Sequence, residues 1–302
     1  MDEIRVSYGT ALVSDLKQGS SEEVPTTAYM MVPGDGKRCR GGCKFCPQAR
    51  GDSKWLSRVS WPLFDMGEVK ENIERSDLSR ICIQSPDVPG YEKKLRQVVT
   101  GFEDSGKPIS ISSPPLEEKT LQELKGPVDR IGVGIDAATD PLRGQVKPNY
   151  DPLIFWNYLG KAVDIYGEGN VTAHLIVGLG EDLAQVGSAV KRSLEAGAEV
   201  SLFPYRSKEE EVDLKYYRKA QLLTGLLEKD MDISKAINLT SNNAEEAFNM
   251  IDEKDIFQTR GCPGCNRPYY TSSPGKEHKN IPRVPTEVEL NRIKKELDIE
   301  GG

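Results

Sequence analysis

The chain has 302 residues, 29% charged and 37% hydrophobic, with a formal net charge of −7. This suits a globular chain with room for one large core or two smaller ones, and the acidic balance argues against a general nucleic-acid binder. No run of about 18 apolar residues occurs, and the start Met1-Asp-Glu-Ile-Arg lacks the apolar stretch of a signal peptide, so no membrane partner and a cytoplasmic location are expected.

Residues 1–25 are polar and mixed, and read as a lead-in with at most a short helix. Thr26–Val32 is a short apolar run stopped by Pro33-Gly34, the pattern of a buried strand. Five more strands are expected at Arg80–Ser85, Pro108–Ser113, Arg130–Asp136, Val171–Gly178 and Glu199–Phe203. Helical spacing between them marks 66–76, Tyr91–Ser105, 117–125, Pro152–Tyr166 and Glu181–Glu195. Six strand–helix units in succession argue for a parallel α/β architecture with right-handed crossovers. An open doubly wound sheet and a partial (β/α)6 barrel both fit, and in either one ligand-binding residues belong in loops after the strand C-terminal ends.

From residue 211 the alternation stops. Helices are expected over Lys215–Asp230, Asn243–Ile251 and 286–297, around a Cys-, Gly- and Pro-rich loop at 260–285. The expected organisation is a lead-in (1–25), a barrel-like unit (26–210) and a C-terminal extension packed on it (211–302).

The chain is organised around Cys39-Arg-Gly-Gly-Cys43-Lys-Phe-Cys46, just after the first strand. Three thiolates within eight residues, two glycines among them, suit a loop wrapped around a soft metal centre. Half of a structural zinc site is the alternative, although zinc usually takes four ligands from paired knuckles. A second constellation is Arg260-Gly-Cys262-Pro-Gly-Cys265-Asn-Arg-Pro. A lone C-x2-C fits half a zinc ribbon, a redox pair or part of a cluster site, and the surrounding Pro, Gly and Asn do not suit the redox pair. Six cysteines in a reducing compartment are expected as thiols, so Cys82 on the second strand remains to be placed. Alone it is a small buried hydrophobe; beside the knuckle it is a third ligand of a second cluster, with zinc or no metal still open. Arg260 and Arg267 flank the knuckle as donors to cluster sulfides or an anionic group, or as plain surface cations. Only two histidines occur, His174 and His278, so chemistry relying on several imidazoles is poorly supplied.

The C-x3-C-x2-C stretch, with Phe45 before its third cysteine, resembles the signature of the radical S-adenosylmethionine (SAM) superfamily. The resemblance implies that Cys39, Cys43 and Cys46 are catalytic ligands of a 4Fe–4S cluster whose open iron binds SAM and, once reduced, cleaves it to a 5′-deoxyadenosyl radical. Across roughly residues 26–205 the chain resembles the biotin synthase-like branch, which implies a partial TIM-like barrel. Val177-Gly-Leu-Gly-Glu181 matches that branch after strand five and implies that Ile176 packs on the SAM adenine. Asp136 in Gly134-Ile-Asp-Ala matches the acidic residue that binds the ribose, with a strand-end or capping role as the alternative. Ser85 falls where relatives position the SAM amino group, although the usual Gly-Gly-Glu is not present.

Ile81-Cys82-Ile83 matches the strand that carries an auxiliary-cluster ligand in biotin synthase, while Ser112 and Thr172 stand where that enzyme has further cysteines. The late knuckle instead resembles two-protein lipoyl synthases. That implies a second 4Fe–4S cluster on Cys82, Cys262 and Cys265, with Ser273 of the Ser272-Ser273 pair as a further ligand or only a turn residue. Both clusters are expected at one mouth of the barrel. The implied activity is sulfur insertion into an octanoyl chain on a carrier-protein lysine of a lipoyl domain, with the sulfur taken from the auxiliary cluster. A second radical SAM subunit and a reductant such as ferredoxin or flavodoxin are the implied partners. A radical SAM methylase, mutase or cofactor maturase with a structural or electron-transfer second site is the alternative, as is a non-catalytic iron–sulfur or zinc scaffold.

Overall fold

A computed structural model describes residues 2–56, 58–207, 210–251, 254–273 and 275–299. Strand β1 (Glu3–Val6), helix α1 (Tyr8–Val13) and strand β2 (Thr27–Met31) open the chain. A small hairpin, β3 (Trp55–Leu56) and β4 (Val59–Ser60), then β5 (Leu63–Asp65) lead into α2 (Met66–Arg75). Alternation follows through β6 (Arg80–Gln84), α3 (Tyr91–Phe102), β7 (Ile109–Ser112), α4 (Glu118–Leu124) and β8 (Val128–Asp136). Helices α5 (Asp140–Val146) and α6 (Ile154–Tyr166) precede β9 (Val171–Val177), α7 (Leu183–Glu195) and β10 (Glu199–Pro204). The remainder is helical: α8 (Leu214–Glu228), α9 (Ile233–Asn242), α10 (Ala244–Asn249) and α11 (Glu287–Glu296).

The main sheet has eight strands in the order β10-β9-β8-β7-β6-β2-β1-β5. From β2 to β10 the pairing is parallel and the strands lie in chain order. A doubly wound sheet would reverse direction at a switch point, so the order is that of a TIM-like barrel. The supposed lead-in is not outside this sheet: β1 pairs antiparallel with β2 (Arg5↔Met31) and with β5 (Ile4↔Phe64). With four residues, β1 is too short a run to rise above its polar surroundings. Helices α5 and α9 were also not expected. Gly144 lies within the seven-residue α5, and α9 holds Ile, Ser, Asn and Thr, all weak helix formers. Their starts are held by caps, Thr139 accepting from the Leu142 N–H and Asp232 from that of Lys235.

Helix α8 packs on α7 and β10 and thus completes the sixth strand–helix unit. The expected boundary at 210/211 therefore falls between a strand and its own helix. Tyr217 of α8 donates to the Leu202 carbonyl at 3.0 Å, and buried Arg218 donates to Glu296 of α11 at 2.6 Å. One face of the sheet meets the helices through residues such as Ile81, Ile83, Ile131 and Val133, each fully or almost fully buried. Burying each such side chain contributes about 1.5–3 kcal/mol. Among the described residues no helix is long and apolar enough to cross a membrane.

Candidate active site

Side chains alternate along each strand, so the neighbours of the helix-facing isoleucines point the other way. Register aligns Tyr29 with Cys82 and Cys82 with Ser110 across β2, β6 and β7. With Gln84, Ser112, Thr172 and His174 these residues line a cavity of about 270 Å³.

At the strand C-terminal end the cavity meets the Cys39–Cys46 loop through Phe45 and Cys46. The loop turns tightly, with the Cys46 N–H donating to the Cys43 carbonyl at 3.1 Å. Gly42 sits at φ +66°, and a Cβ there would lie 2.6 Å from Asn149 Nδ2. Asn149 donates to the Arg40 carbonyl at 2.6 Å. Asp87 gathers four contacts: its carbonyl accepts from the Arg40 N–H at 2.8 Å, and its carboxylate from Arg40 Nε at 3.0 Å, Arg40 Nη2 at 2.5 Å and Tyr150 Oη at 2.7 Å. The segment after α5 thus closes over the cysteine loop.

Burial pushes the Cys43 thiol up to about 12 against the pull of the Lys147 ammonium, and burial pushes Cys46 up to about 11. Such thiols stay protonated in water-like conditions, and metal coordination is the chemistry that deprotonates them. Lys147 is buried, with Nζ 2.8 Å from Asp136 Oδ2, 2.8 Å from the Gly134 carbonyl and 3.4 Å from the centre of the Phe155 ring. Asp136, at φ +59°, borders the cavity with Ile176 and is already ion-paired to Lys147. Ser85 is not among the lining residues; its hydroxyl turns to the Pro86 carbonyl at 3.2 Å.

The knuckle lies at the other end. Thr26, just before β2, donates its N–H to Asn266 Oδ1 at 3.1 Å and its hydroxyl to the Gly264 carbonyl. Residues 260–267 therefore cover the strand N-terminal ends, and the expectation of two clusters at one mouth is corrected. The physical reason is that Cys82 stands mid-strand with its side chain inward, reachable from below as well as from above. Cys82, Cys262 and Cys265 do converge: burial and then the two knuckle thiols push Cys82 up to about 12. Burial also raises Cys262, against a hydrogen bond from Ser110 and the nearby Arg80 and Arg130 guanidiniums. Tyr29 Oη lies 3.2 Å from Cys265 Sγ.

Arg267 is buried beside these thiols, its Nη2 donating to Ser201 Oγ at 2.8 Å and to the Arg260 carbonyl, while its Nε has no partner. Arg260 is turned away, its Nη1 donating to both carboxylate oxygens of Glu228 at 2.6 Å. Ser273 does not line the cavity; Thr271 does, and Ser272 pairs with His278 Nδ1 at 2.9 Å. His174 lines the cavity edge-on to Phe203, and burial with Arg267 nearby lowers it to about 3. Among the described residues no three His, Cys, Asp or Glu side chains close on one metal ion. The three thiols of the Cys39–Cys46 loop are the soft donors that an iron–sulfur cluster takes.

Lys147, Asp87 and Tyr150 were not singled out in the sequence. A lysine in Val-Lys-Pro-Asn-Tyr carries no motif, and only the return of the chain after α5 puts it beside Cys43.

A family model described as the radical SAM superfamily matches residues 35–192, a little over half of the chain. The chain belongs to the radical SAM superfamily. That membership implies a 4Fe–4S cluster and SAM, and the donors of the Cys39–Cys46 loop fit such a cluster. The radical SAM match includes Cys82, Asp136 and Ile176 and stops before the knuckle. Comparison with curated proteins finds no match.

Proposed function

We propose that this radical SAM enzyme inserts sulfur, as a lipoyl synthase component acting on an octanoyl chain held by a carrier-protein lysine. In this reading Cys39, Cys43 and Cys46 hold the SAM-binding cluster, and Cys82, Cys262 and Cys265 hold a second 4Fe–4S cluster. The observation that carries it is one cavity of about 270 Å³, bordered by Phe45, Cys46 and Asp136 at one end and by Cys82, Cys262 and Cys265 at the other. When bound, the reduced cluster with SAM supplies a radical that takes hydrogen from an unactivated C–H bond, and the second cluster supplies sulfide.

The chain's own residues bind and orient. Ile176, Phe203 and Pro204 offer apolar wall to an alkyl chain. Asp136 and Lys147, paired at 2.8 Å, offer an acceptor and a donor for the polar groups of SAM. Arg58 and Arg206 stand at the rim as cations for an anionic carrier surface. A second radical SAM subunit and a ferredoxin or flavodoxin reductant follow from the resemblance to two-protein lipoyl synthases.

Iron and acid-labile sulfide per chain after anaerobic reconstitution test the reading, in the wild type and in Cys262→Ala with Cys265→Ala. About eight irons in the wild type and about four in the double variant are expected. About four in both would retire sulfur insertion and leave a one-cluster radical SAM enzyme. The knuckle lies outside the 35–192 match, which favours as second reading a metal site that is structural or transfers electrons. Sulfide retained at the knuckle after turnover would select it.

A further inference from the structure

A second cavity, of about 320 Å³, lies beneath the first. It is bordered by Thr26 and Glu199 at the starts of two strands, and by Asp255, Gln258, Thr259 and Arg260 from the segment before the knuckle. Gly261, Cys262 and Cys265 border both cavities. The two knuckle cysteines are thus a partition with two faces. The upper face looks through the lumen toward Cys46 and Asp136, and the lower face looks away from them.

The surroundings of the lower face are polar and charged. Glu199 is paired with Arg130 from the neighbouring end of β8, and Arg260 with Glu228. Arg80 and Arg130 stand close enough to Cys262 to favour its thiolate. Arg130 is itself 7% exposed, with Nε lacking any partner. Water and small ions are stabilised in such surroundings, whereas an alkyl chain is not. The upper cavity carries the apolar walls. The two cavities therefore differ in what they admit, and both reach the same two sulfur atoms.

We propose that Cys262 and Cys265 have their own entrance at the strand N-terminal face, through which the metal and sulfide ions of the second centre are loaded and exchanged without passing the SAM end. This rests on the reading of Cys82, Cys262 and Cys265 as a metal–sulfur centre. A cavity of 320 Å³ admits hydrated ions or a small thiol and excludes a folded donor protein, so the species that enters is small and hydrophilic. Loading is then independent of whether SAM or substrate fills the lumen.

The test is alkylation of the full chain, reduced and stripped of metal under anaerobic conditions, with iodoacetamide as the probe and peptide mass spectrometry as the readout for each cysteine. Thr259→Trp and, separately, Gln258→Trp narrow the lower cavity; Arg206→Trp narrows the upper one. Labelling of Cys262 and Cys265 is expected to slow about tenfold or more in both lower variants, with Cys39, Cys43 and Cys46 unchanged. Arg206→Trp is expected to leave the rates of Cys262 and Cys265 at the wild-type value. Slowing by Arg206→Trp equal to that of the lower variants, or wild-type rates in both lower variants, overturns the proposal. A lower variant that labels faster at all six cysteines has lost its fold, and the other lower variant then decides. Labelling reports the entrance whether or not iron binds, so its failure is separate from failure of the two-cluster reading, which the iron content reports.

Discussion

The hydroxyl of Tyr29 lies 3.2 Å from Cys265 Sγ, 236 residues later in the chain. The same oxygen accepts the Arg267 N–H at 2.9 Å, and the Tyr29 ring packs against Tyr270 with centroids 5.3 Å apart. Burial, then Cys265 and Tyr270, raise this phenol well above its ordinary value, so it keeps its proton beside the sulfur. One side chain on β2 thereby anchors the knuckle to the barrel.

Replacing Tyr29 by Phe leaves the Arg267 N–H buried without an acceptor. The expected loss is about 1–3 kcal/mol, measured by urea unfolding. On the two-cluster reading, total iron per chain is expected to fall toward that of the upper loop alone. Unchanged stability and iron content would show that the contact anchors nothing.

Asp87 joins Arg40 of the cysteine loop to Tyr150 beyond α5, and its side chain is only 12% exposed. Asp87→Ala removes both acceptors at once and leaves the Tyr150 hydroxyl unpaired. SAM cleavage is expected to drop about tenfold through a loosened loop, a misplacement effect of the size seen for displaced reacting groups. Cys262 and Cys265 should alkylate at the wild-type rate, because nothing in this latch reaches the knuckle.

Two glycines separate backbone strain from crowding. Gly36 (φ +73°) and Gly42 (φ +66°) share the left-handed region, but an added Cβ meets nothing within 4 Å at the first and Asn149 at 2.6 Å at the second. Gly36→Ala is expected to cost about 1 kcal/mol, the backbone contribution alone. Gly42→Ala adds a clash, and is expected to cost about 1–3 kcal/mol more and to release iron from the upper loop. Equal losses in the two variants would mean that Asn149 yields freely.

His174 gives the fold a pH dependence with a definite sign. Burial and the adjacent Arg267 hold its pKa near 3 in the folded chain, against about 6.5 when unfolded. Between these values the unfolded chain binds the extra proton, so stability is full above about pH 6.5 and falls as the pH drops toward 3. The slope is at most about 1.4 kcal/mol per pH unit, since one imidazole takes up one proton. His174→Phe should flatten the difference in urea midpoints of the metal-free chain between about pH 5 and pH 7. An unchanged difference would assign the acid sensitivity to other groups.

The cysteine spacing and the six strand–helix alternations were legible because each rests on a short-range rule: ligand spacing in one loop, or period-two and period-3.6 burial in one element. Strand β1 was not, since its four residues become a strand only by pairing with β2 and β5. The order of the parallel strands, which separates a barrel from a doubly wound sheet, is a property of pairing and has no local trace. The same holds for the end at which the knuckle docks. Its residues are compatible with either mouth, and the choice was made by the Thr26–Asn266 and Tyr29–Arg267 hydrogen bonds across more than two hundred residues. Sequence by itself determined which atoms are available as soft donors, three of them in the Cys39–Cys46 loop and a C-x2-C pair late in the chain. Tertiary structure decided that Cys82, Cys262 and Cys265 border the same lumen as Cys46, because only long-range pairing brings the N-terminal strand and the C-terminal loop to the same point in space.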